Sequence, residues 1–148
     1  MTCATDVASY FIKRGTAESE SKDSGLSNLK LQKLLYYSQG FHLAIFNERL
    51  FSEKLEAWTH GPVCPEVYHR FKNFGSSPIF LDEKFDQEKG FNQEQIELLD
   101  EIFEVFGQFS AWKLRDMTHE ELPWIQFENN AGEILIEPMT EYFKTRLQ

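Results

Sequence analysis

Residues Leu29–Phe46 read LKLQKLLYYSQGFHLAIF, and their apolar side chains repeat at α-helical spacing on more than one face. A helix that is apolar on several faces is normally surrounded by other elements. Ser27 is a residue type that caps helix N-termini, so it marks the expected start. We therefore predict a buried central helix over Leu29–Phe46, in which Gly40 lets a neighbouring helix approach closely.

Shorter helices are predicted on both sides of this segment. Apolar residues at helical spacing run from Ala4 to Ile12, and Gly15 is the predicted end of that helix. Segments 16–25 and 76–90 are polar or irregular and are predicted to be loops. Downstream helix starts are predicted at Pro65, at Asn92 with Gln95, at Ser110, at Thr118 with Glu121, and at Pro138. Gly75 and Gly107 are predicted ends.

A small β-ribbon is also predicted. Apolar and polar residues alternate over Leu50–Thr59, and the turn-forming His60-Gly61-Pro62 follows. Ile134–Ile136 is the second predicted strand, which could pair with the first. The predicted fold is mainly α: one compact domain over residues 1–148, with six or seven short helices around the central helix and a minor two-stranded β-ribbon.

The charge of the chain excludes some functions and favours others. A formal net charge of −9 over 148 residues, with scattered basic residues, argues against binding to nucleic acid. An acidic surface steers basic protein partners, although the charge could simply keep the protein soluble. Residues Leu34–Phe46 are too few and too polar to span a bilayer, and no secretory signal is visible. We expect a cytoplasmic protein without a membrane partner.

Catalytic and metal-binding motifs are mostly missing. The sequence has no phosphate-binding glycine loop, no H-E-x-x-H and no G-x-S-x-G. A metal site from Cys3, His60, Cys64 and His69 lacks the close cysteine pairs that zinc sites show. A Cys64 nucleophile with His60 lacks a recognisable third group, and the carboxylates of His119–Glu121 suit a helix start in any case. We predict no catalytic residue, no metal and no cofactor.

Two aromatic surfaces are candidates for binding a protein partner. The chain has 14 Phe, 5 Tyr and 3 Trp, and large aromatic side chains are good anchors in interfaces. One surface is Trp58 beside the rigid Gly61-Pro62 turn, unless Trp58 is core and the turn only reverses the chain. The other lies on the central helix, unless its tyrosines are core residues with satisfied hydroxyl groups. The candidate residues are Lys33, Tyr36, Tyr37, Trp58, His60, Pro62 and Trp124.

The segment Leu29–Gly40, in combination with Gly61-Pro62-Val63, resembles the signature of the Panacea antitoxin domain. This family is also known as SocA-like, and its members are often labelled phage-associated GepA-like proteins. The resemblance covers nearly the whole chain. Further matching positions are Leu50-Phe51, Glu56-Ala57-Trp58, Val67-Tyr68, Leu114, Thr118-His119-Glu120, Pro123-Trp124, Ile134 and Tyr142-Phe143.

The resemblance implies a mostly helical antitoxin that neutralises a cognate protein toxin by direct, chaperone-like binding. One branch of the family is thought to act as an adaptor that hands its toxin to a protease. The family has no established catalytic residues, so none is assigned here. Two alternatives stay open at this point: a phage accessory protein that binds a host factor, and a small enzyme that uses Cys64 and histidines.

Overall fold

The computed structural model describes residues 2–17, 25–81 and 90–147. Within these ranges the chain contains seven α-helices and one two-stranded sheet. The helices are α1 (Ala4–Ala17), α2 (Asn28–Phe46), α3 (Pro65–Phe71), α4 (Gln93–Phe106), α5 (Ala111–His119), α6 (Leu122–Ile125) and α7 (Ile136–Lys144). The strands are β1 (Glu56–Trp58) and β2 (Gly61–Val63). The predicted mainly-α class is confirmed.

Helix α2 is the element around which the others pack, as the sequence predicts. It contacts α1, α4, α5, α7 and the sheet. Its start is capped by the Ser27 hydroxyl, which accepts a hydrogen bond from the Lys30 backbone N–H at 3.3 Å. At its end, Asn47 adopts a left-handed conformation with φ 56° and donates its N–H to the Leu43 carbonyl. An αL residue after the last helical turn is a common way to end a helix.

Gly40 is the position where α7 meets α2. A Cβ atom at Gly40 would overlap the aromatic ring of Phe143. The predicted close approach of a neighbouring helix is therefore confirmed, and α7 is that helix.

The end of α1 differs from the prediction. Gly15 lies inside the helix, which continues to Ala17, and the Thr16 hydroxyl donates to the Ile12 carbonyl at 2.9 Å. Gly15 is buried against Leu26, so its lack of a side chain serves packing rather than termination. Of the predicted loop 16–25, residues 18–24 lie outside the described part of the chain.

The β-ribbon forms between different partners from those predicted. Strand β1 pairs with β2 through a two-residue turn, with Ala57 opposite Pro62. Gly61 has φ 107°, which favours glycine and lets the chain reverse immediately. Ile134–Ile136 is not the second strand, because α7 begins at Ile136. This segment makes only an isolated β-bridge to β1: Ala57 donates its N–H to the Gly132 carbonyl at 2.9 Å, and Ile134 donates its N–H to the carbonyl of Leu55, just before β1, at 2.8 Å.

The remaining helix starts are partly as predicted. Asn92 and Gln95 form a reciprocal capping box, Ser110 caps α5, and Pro65 opens α3. Gly107 follows the end of α4, and Gly75 ends a short 3₁₀ turn after α3. The predicted capping box of Thr118 with Glu121 is wrong, because Thr118 lies in the last turn of α5 and the Glu121 side chain points into the core. Pro138 lies inside the first turn of α7 instead of opening it.

Candidate functional site

An open cleft of 570 Å³ lies between the N-terminal half of α2, the β1–β2 hairpin, α3 and α5. It brings together segments that are far apart in the sequence. Its lining residues are Asn28, Leu29, Gln32, Trp58, Thr59, His60, Val63, Tyr68, Lys72, Gly75, Ser76, Trp112 and Ala131.

Aromatic rings form the walls of the cleft. The Trp58 ring meets Tyr68 edge to face, with 5.0 Å between ring centroids, and its Nε1 donates to Glu56 at 2.8 Å. Trp112, in the first turn of α5, is 57% exposed and packs edge to face against His60 at 5.4 Å. An exposed tryptophan in a concave, partly rigid setting is the kind of residue that anchors interfaces.

Buried amide groups form the floor of the cleft and hold it in shape. Gln32 Oε1 accepts the backbone N–H of Cys64 at 2.8 Å, and Gln32 Nε2 donates to Asn28 Oδ1 at 2.9 Å. Asn28 Nδ2 in turn donates to the Tyr68 carbonyl at 3.1 Å. This chain of bonds ties α2 to α3 and to the end of the hairpin, so the cleft is largely pre-formed.

Cations lie along the rim of the cleft. Lys72 is exposed at one edge. Arg115 lies at the other edge, where its Nε donates to His60 Nδ1 at 3.2 Å and its guanidinium carbon is 5.3 Å from the Trp112 ring centroid. Among the described lining residues there is no Asp or Glu.

Lys33 lies beneath the hairpin, Pro62 lies within strand β2 of the hairpin, and neither lines the cleft. Lys33 is completely buried, and its Nζ donates to the Pro62 carbonyl at 3.1 Å. Burial lowers the pKa of Lys33 to about 7, and the nearby charge of Arg115 adds to the effect. A Cβ at Gly61 would lie 2.5 Å from Lys33 Cε, so the lysine stem fixes the hairpin from below.

Tyr36 and Tyr37 are also in the core, with both hydroxyl groups satisfied. They donate to the two carboxylate oxygens of Glu121 at 2.8 and 2.9 Å, and Arg146 reaches the same carboxylate at 3.1 Å. Burial raises the pKa of Glu121, while the tyrosines and Arg146 oppose that shift. The alternative of packed core tyrosines is therefore the one that the structure shows, and neither ring lines the cleft.

Trp124 supports the cleft from behind. Its Nε1 donates to the Trp58 carbonyl at 2.7 Å, and its ring stacks on His119 with 3.9 Å between centroids. Of the predicted binding residues, only Trp58 and His60 thus line the cleft.

The candidate catalytic groups are not arranged for nucleophilic chemistry. Cys64 is fully buried, and burial raises its thiol pKa to about 11, whereas a nucleophilic cysteine needs a lowered pKa. Burial also lowers the pKa of His119, whose Nε2 has no hydrogen-bond partner among the described residues. In the described ranges, no three His, Cys, Asp or Glu side chains converge as a metal site would require.

The cleft residues that sequence reasoning missed include Tyr68, Lys72 and Trp112. One signal was available for Trp112. The Ser110 cap places Trp112 in the first turn of α5, whereas the buried residues of that helix are Leu114 and Thr118. A tryptophan that does not share the buried face of a short helix is a candidate for the surface.

A second, smaller groove lies at the other end of α2. Its volume is 300 Å³, and Ile45, Val105 and Leu147 contribute partly exposed apolar side chains to it. This groove lacks the amide floor of the cleft, and it provides matched positions for control variants.

Comparison with known proteins gives a consistent family match. Residues 31–125 match the family model described as antitoxin SocA-like, Panacea domain. The chain is 32% identical to antitoxin SocA of Caulobacter vibrioides (strain NA1000 / CB15N) over 120 aligned residues. The alignment covers 74% of this chain and 64% of the relative. The chain thus spans less than two thirds of that relative's length. No solved structure matches the chain significantly. Within the described ranges, no helix is both long and apolar enough to cross a membrane.

Proposed function

Because the chain belongs to the SocA-like antitoxin, Panacea domain family, we propose that it is the antitoxin of a toxin–antitoxin pair and neutralises a cognate protein toxin by direct binding. The match of residues 31–125 to the family model is the observation that carries this proposal. We further propose that residues 1–148 act as one domain, since α2 packs against helices from both ends of the chain.

We propose the cleft and its rim as the surface that binds the toxin. Trp58 and Trp112 present large apolar areas, and the bonds of Gln32 and Asn28 already order the walls in the free protein. A pre-ordered surface loses less conformational entropy on binding, so more of the contact energy appears as affinity. The role is non-enzymatic: the buried Cys64 supports this, because a thiol with a raised pKa is a poor nucleophile.

Co-expression with the product of the adjacent gene tests the proposal. We expect the neighbour to stop growth when expressed alone and growth to return when this chain is expressed with it. The proposal fails if the neighbour is harmless alone, or if it stays toxic in the presence of this chain.

The cleft is tested in the same growth assay with Trp112→Ala. Removing the exposed indole should lower affinity for the toxin by about 2 kcal/mol or more, as for an interface hot spot, and neutralisation should be lost. Ile45→Ala is the matched control, because Ile45 is 48% exposed and lies at the opposite end of α2. Equal behaviour of the two variants would exclude the cleft as the binding surface.

Masking and delivery to a protease make different predictions for the amount of toxin. We propose masking, so the toxin should persist at a steady level beside this chain after synthesis is stopped. Loss of the toxin that depends on both this chain and a cellular protease would instead show that the chain acts as an adaptor. An immunoblot of an epitope-tagged toxin gives the measurement.

A further inference from the structure

The aromatic lining of the cleft suits a bulky apolar side chain. Trp58 and Tyr68 line it with their ring centroids 5.0 Å apart, and Trp112 also belongs to the lining. Leu29 and Val63 add aliphatic surface between them. An aromatic or large aliphatic side chain placed here would lose its contact with water and pack against the aromatic rings of the lining.

Two cations beside this apolar space keep donor groups that no carboxylate of the described residues engages. Lys72 lines the cleft, and within the described residues it makes no ion pair. Arg115 uses its Nε on His60 and its Nη1 on Asp116, which leaves Nη2 without a partner in the described part of the chain. The nearby carboxylate of Glu56 is already engaged, because it accepts the Trp58 N–H and pairs with Lys54 at 3.1 Å.

This local charge is opposite to that of the whole chain, which carries −9. The two act over different distances. At physiological ionic strength, charges more than about 8 Å apart are largely screened, so the net charge affects the approach of a partner more than its contacts. Beside tryptophan rings that exclude water, the effective dielectric falls and a nearby charge pair becomes stronger.

We propose that the toxin segment which enters the cleft carries an aromatic or large aliphatic side chain directly beside a carboxylate. The apolar side chain packs against Trp58 and Trp112, and the neighbouring carboxylate accepts a hydrogen bond from Lys72, which lines the cleft, while Arg115 at the other edge adds positive potential. This inference rests on the proposed antitoxin function and specifies the chemistry of the segment that is bound. A carboxylate is favoured here because a hydrogen bond from an ammonium group to an ionised acceptor is stronger than one between neutral groups.

Blocked synthetic peptides test this chemistry by isothermal titration calorimetry on the full chain. The first has a Gly/Ser backbone with a central Phe followed by two Asp. The second replaces both Asp with Lys, and the third replaces Phe with Ala. We expect the Phe-Asp-Asp peptide to bind at least about tenfold more tightly than either of the others, which corresponds to 1.4 kcal/mol. Absent binding of this peptide, or equal binding of the Lys peptide, would overturn the inference.

Charge reversal at the rim gives a second measurement. Lys72→Glu changes an exposed side chain and should reduce the preference for the Asp peptide over the Lys peptide by about tenfold, because it replaces attraction with repulsion. Lys144→Glu makes the same charge change at an exposed position on α7, outside the cleft, and should leave the preference close to wild type. Equal effects of the two variants would contradict the inference.

The growth assay separates this inference from the proposed function. If the chain neutralises its toxin while the peptides show no preference for carboxylate, only the present inference fails. If the peptides bind as expected but the chain does not neutralise the neighbouring gene product, the antitoxin proposal fails and the cleft keeps its ligand chemistry.

Discussion

Lys33 is a buried cation whose hydrogen-bond partner is a carbonyl group. No carboxylate among the described residues pairs with it, and its Nζ reaches the Pro62 oxygen at 3.1 Å. Burying a charged ammonium group without a counterion is costly, which is why the pKa of Lys33 falls to about 7. This residue therefore links the stability of the hairpin to pH.

The pH dependence of unfolding tests this link. Unfolded Lys33 has its ordinary pKa of 10.5, so between pH 7 and 10.5 the unfolded state binds more protons at this site than the folded state. Stability therefore rises with pH across this window and is lowest, for this group, below pH 7. We expect the free energy of unfolding of the wild type, relative to Lys33→Met, to rise by up to about 1.4 kcal/mol per pH unit.

Urea unfolding at a series of pH values from 7 to 9.5 measures the difference, since the other titrating groups are common to both proteins. Lys144→Met, at an exposed lysine on α7, is the control and should follow the wild type. Parallel curves for the wild type and Lys33→Met would show that Lys33 does not titrate in this window.

At the scale of elements, the packing of α7 on α2 depends on Gly40. The Phe143 ring occupies the space of the missing side chain, and it also contacts Tyr36, Tyr37 and Phe41 edge to face. A glycine inside a helix costs about 1 kcal/mol relative to alanine, so the close approach must offset that cost. The helix pair is thus stabilised by a residue that weakens the isolated helix.

Replacing Gly40 with alanine should destabilise the protein despite the better helix propensity. The new methyl group overlaps the Phe143 ring, and overpacking of this kind costs about 1–3 kcal/mol. In the double variant with Phe143→Leu, the aromatic ring is replaced by a smaller side chain, so the new methyl group at position 40 has room. In a double-mutant cycle the two substitutions should therefore be less harmful together than their sum, as judged by thermal denaturation. Additive effects would show that the overlap is relieved elsewhere.

Much of the helical framework can be predicted from local signals in the sequence. Helix caps are local signals: the side chains of Ser27, Asn92 and Ser110 bond backbone N–H groups only three residues further on. The start of each of these helices can therefore be predicted from the adjacent sequence. The prediction that Gly15 ends α1 is wrong because a glycine can serve either termination or packing. The pairing of β1 with β2 is hard to predict because it depends on the backbone angle that Gly61 adopts, a positive φ that glycine permits but does not require.

The cleft could be predicted only in part, since it is assembled by tertiary contacts. Trp58 and His60 were identified from one turn, but Tyr68 and Trp112 come from α3 and α5 and meet them only after folding. Tyr36 could not be assigned to core or surface, because a tyrosine is suited to both. Its hydroxyl is satisfied by Glu121, a residue distant in sequence, and no local pattern indicates that bond.

At the scale of the whole molecule, the surface proposed for binding and the core that maintains the fold are largely separate sets of residues. Trp112 is 57% exposed and lies outside the group of buried hydrophobic side chains. Tyr37 and Phe143, in contrast, are fully buried. Partner recognition and stability should therefore respond to different substitutions.

Stability measurements on Trp112→Ala check this separation. Because substitutions at exposed positions usually change stability by less than about 0.5 kcal/mol, the variant should unfold at nearly the wild-type temperature even though it no longer neutralises the toxin. Gly40→Ala should show the reverse, with a lower unfolding temperature and unchanged affinity of the folded fraction. A large drop in the unfolding temperature of Trp112→Ala would mean that its growth phenotype reports folding instead of binding.

All three tryptophans of the chain belong to one side of the molecule. Trp58 and Trp112 line the cleft, and Trp124 donates its indole N–H to the Trp58 carbonyl. Indole emission responds to the polarity around the ring, so the intrinsic fluorescence of the chain comes almost entirely from this region. A ligand that enters between Trp58 and Trp112 can consequently be followed optically, in real time and without a label, whereas binding at a distant face should leave the emission nearly unchanged.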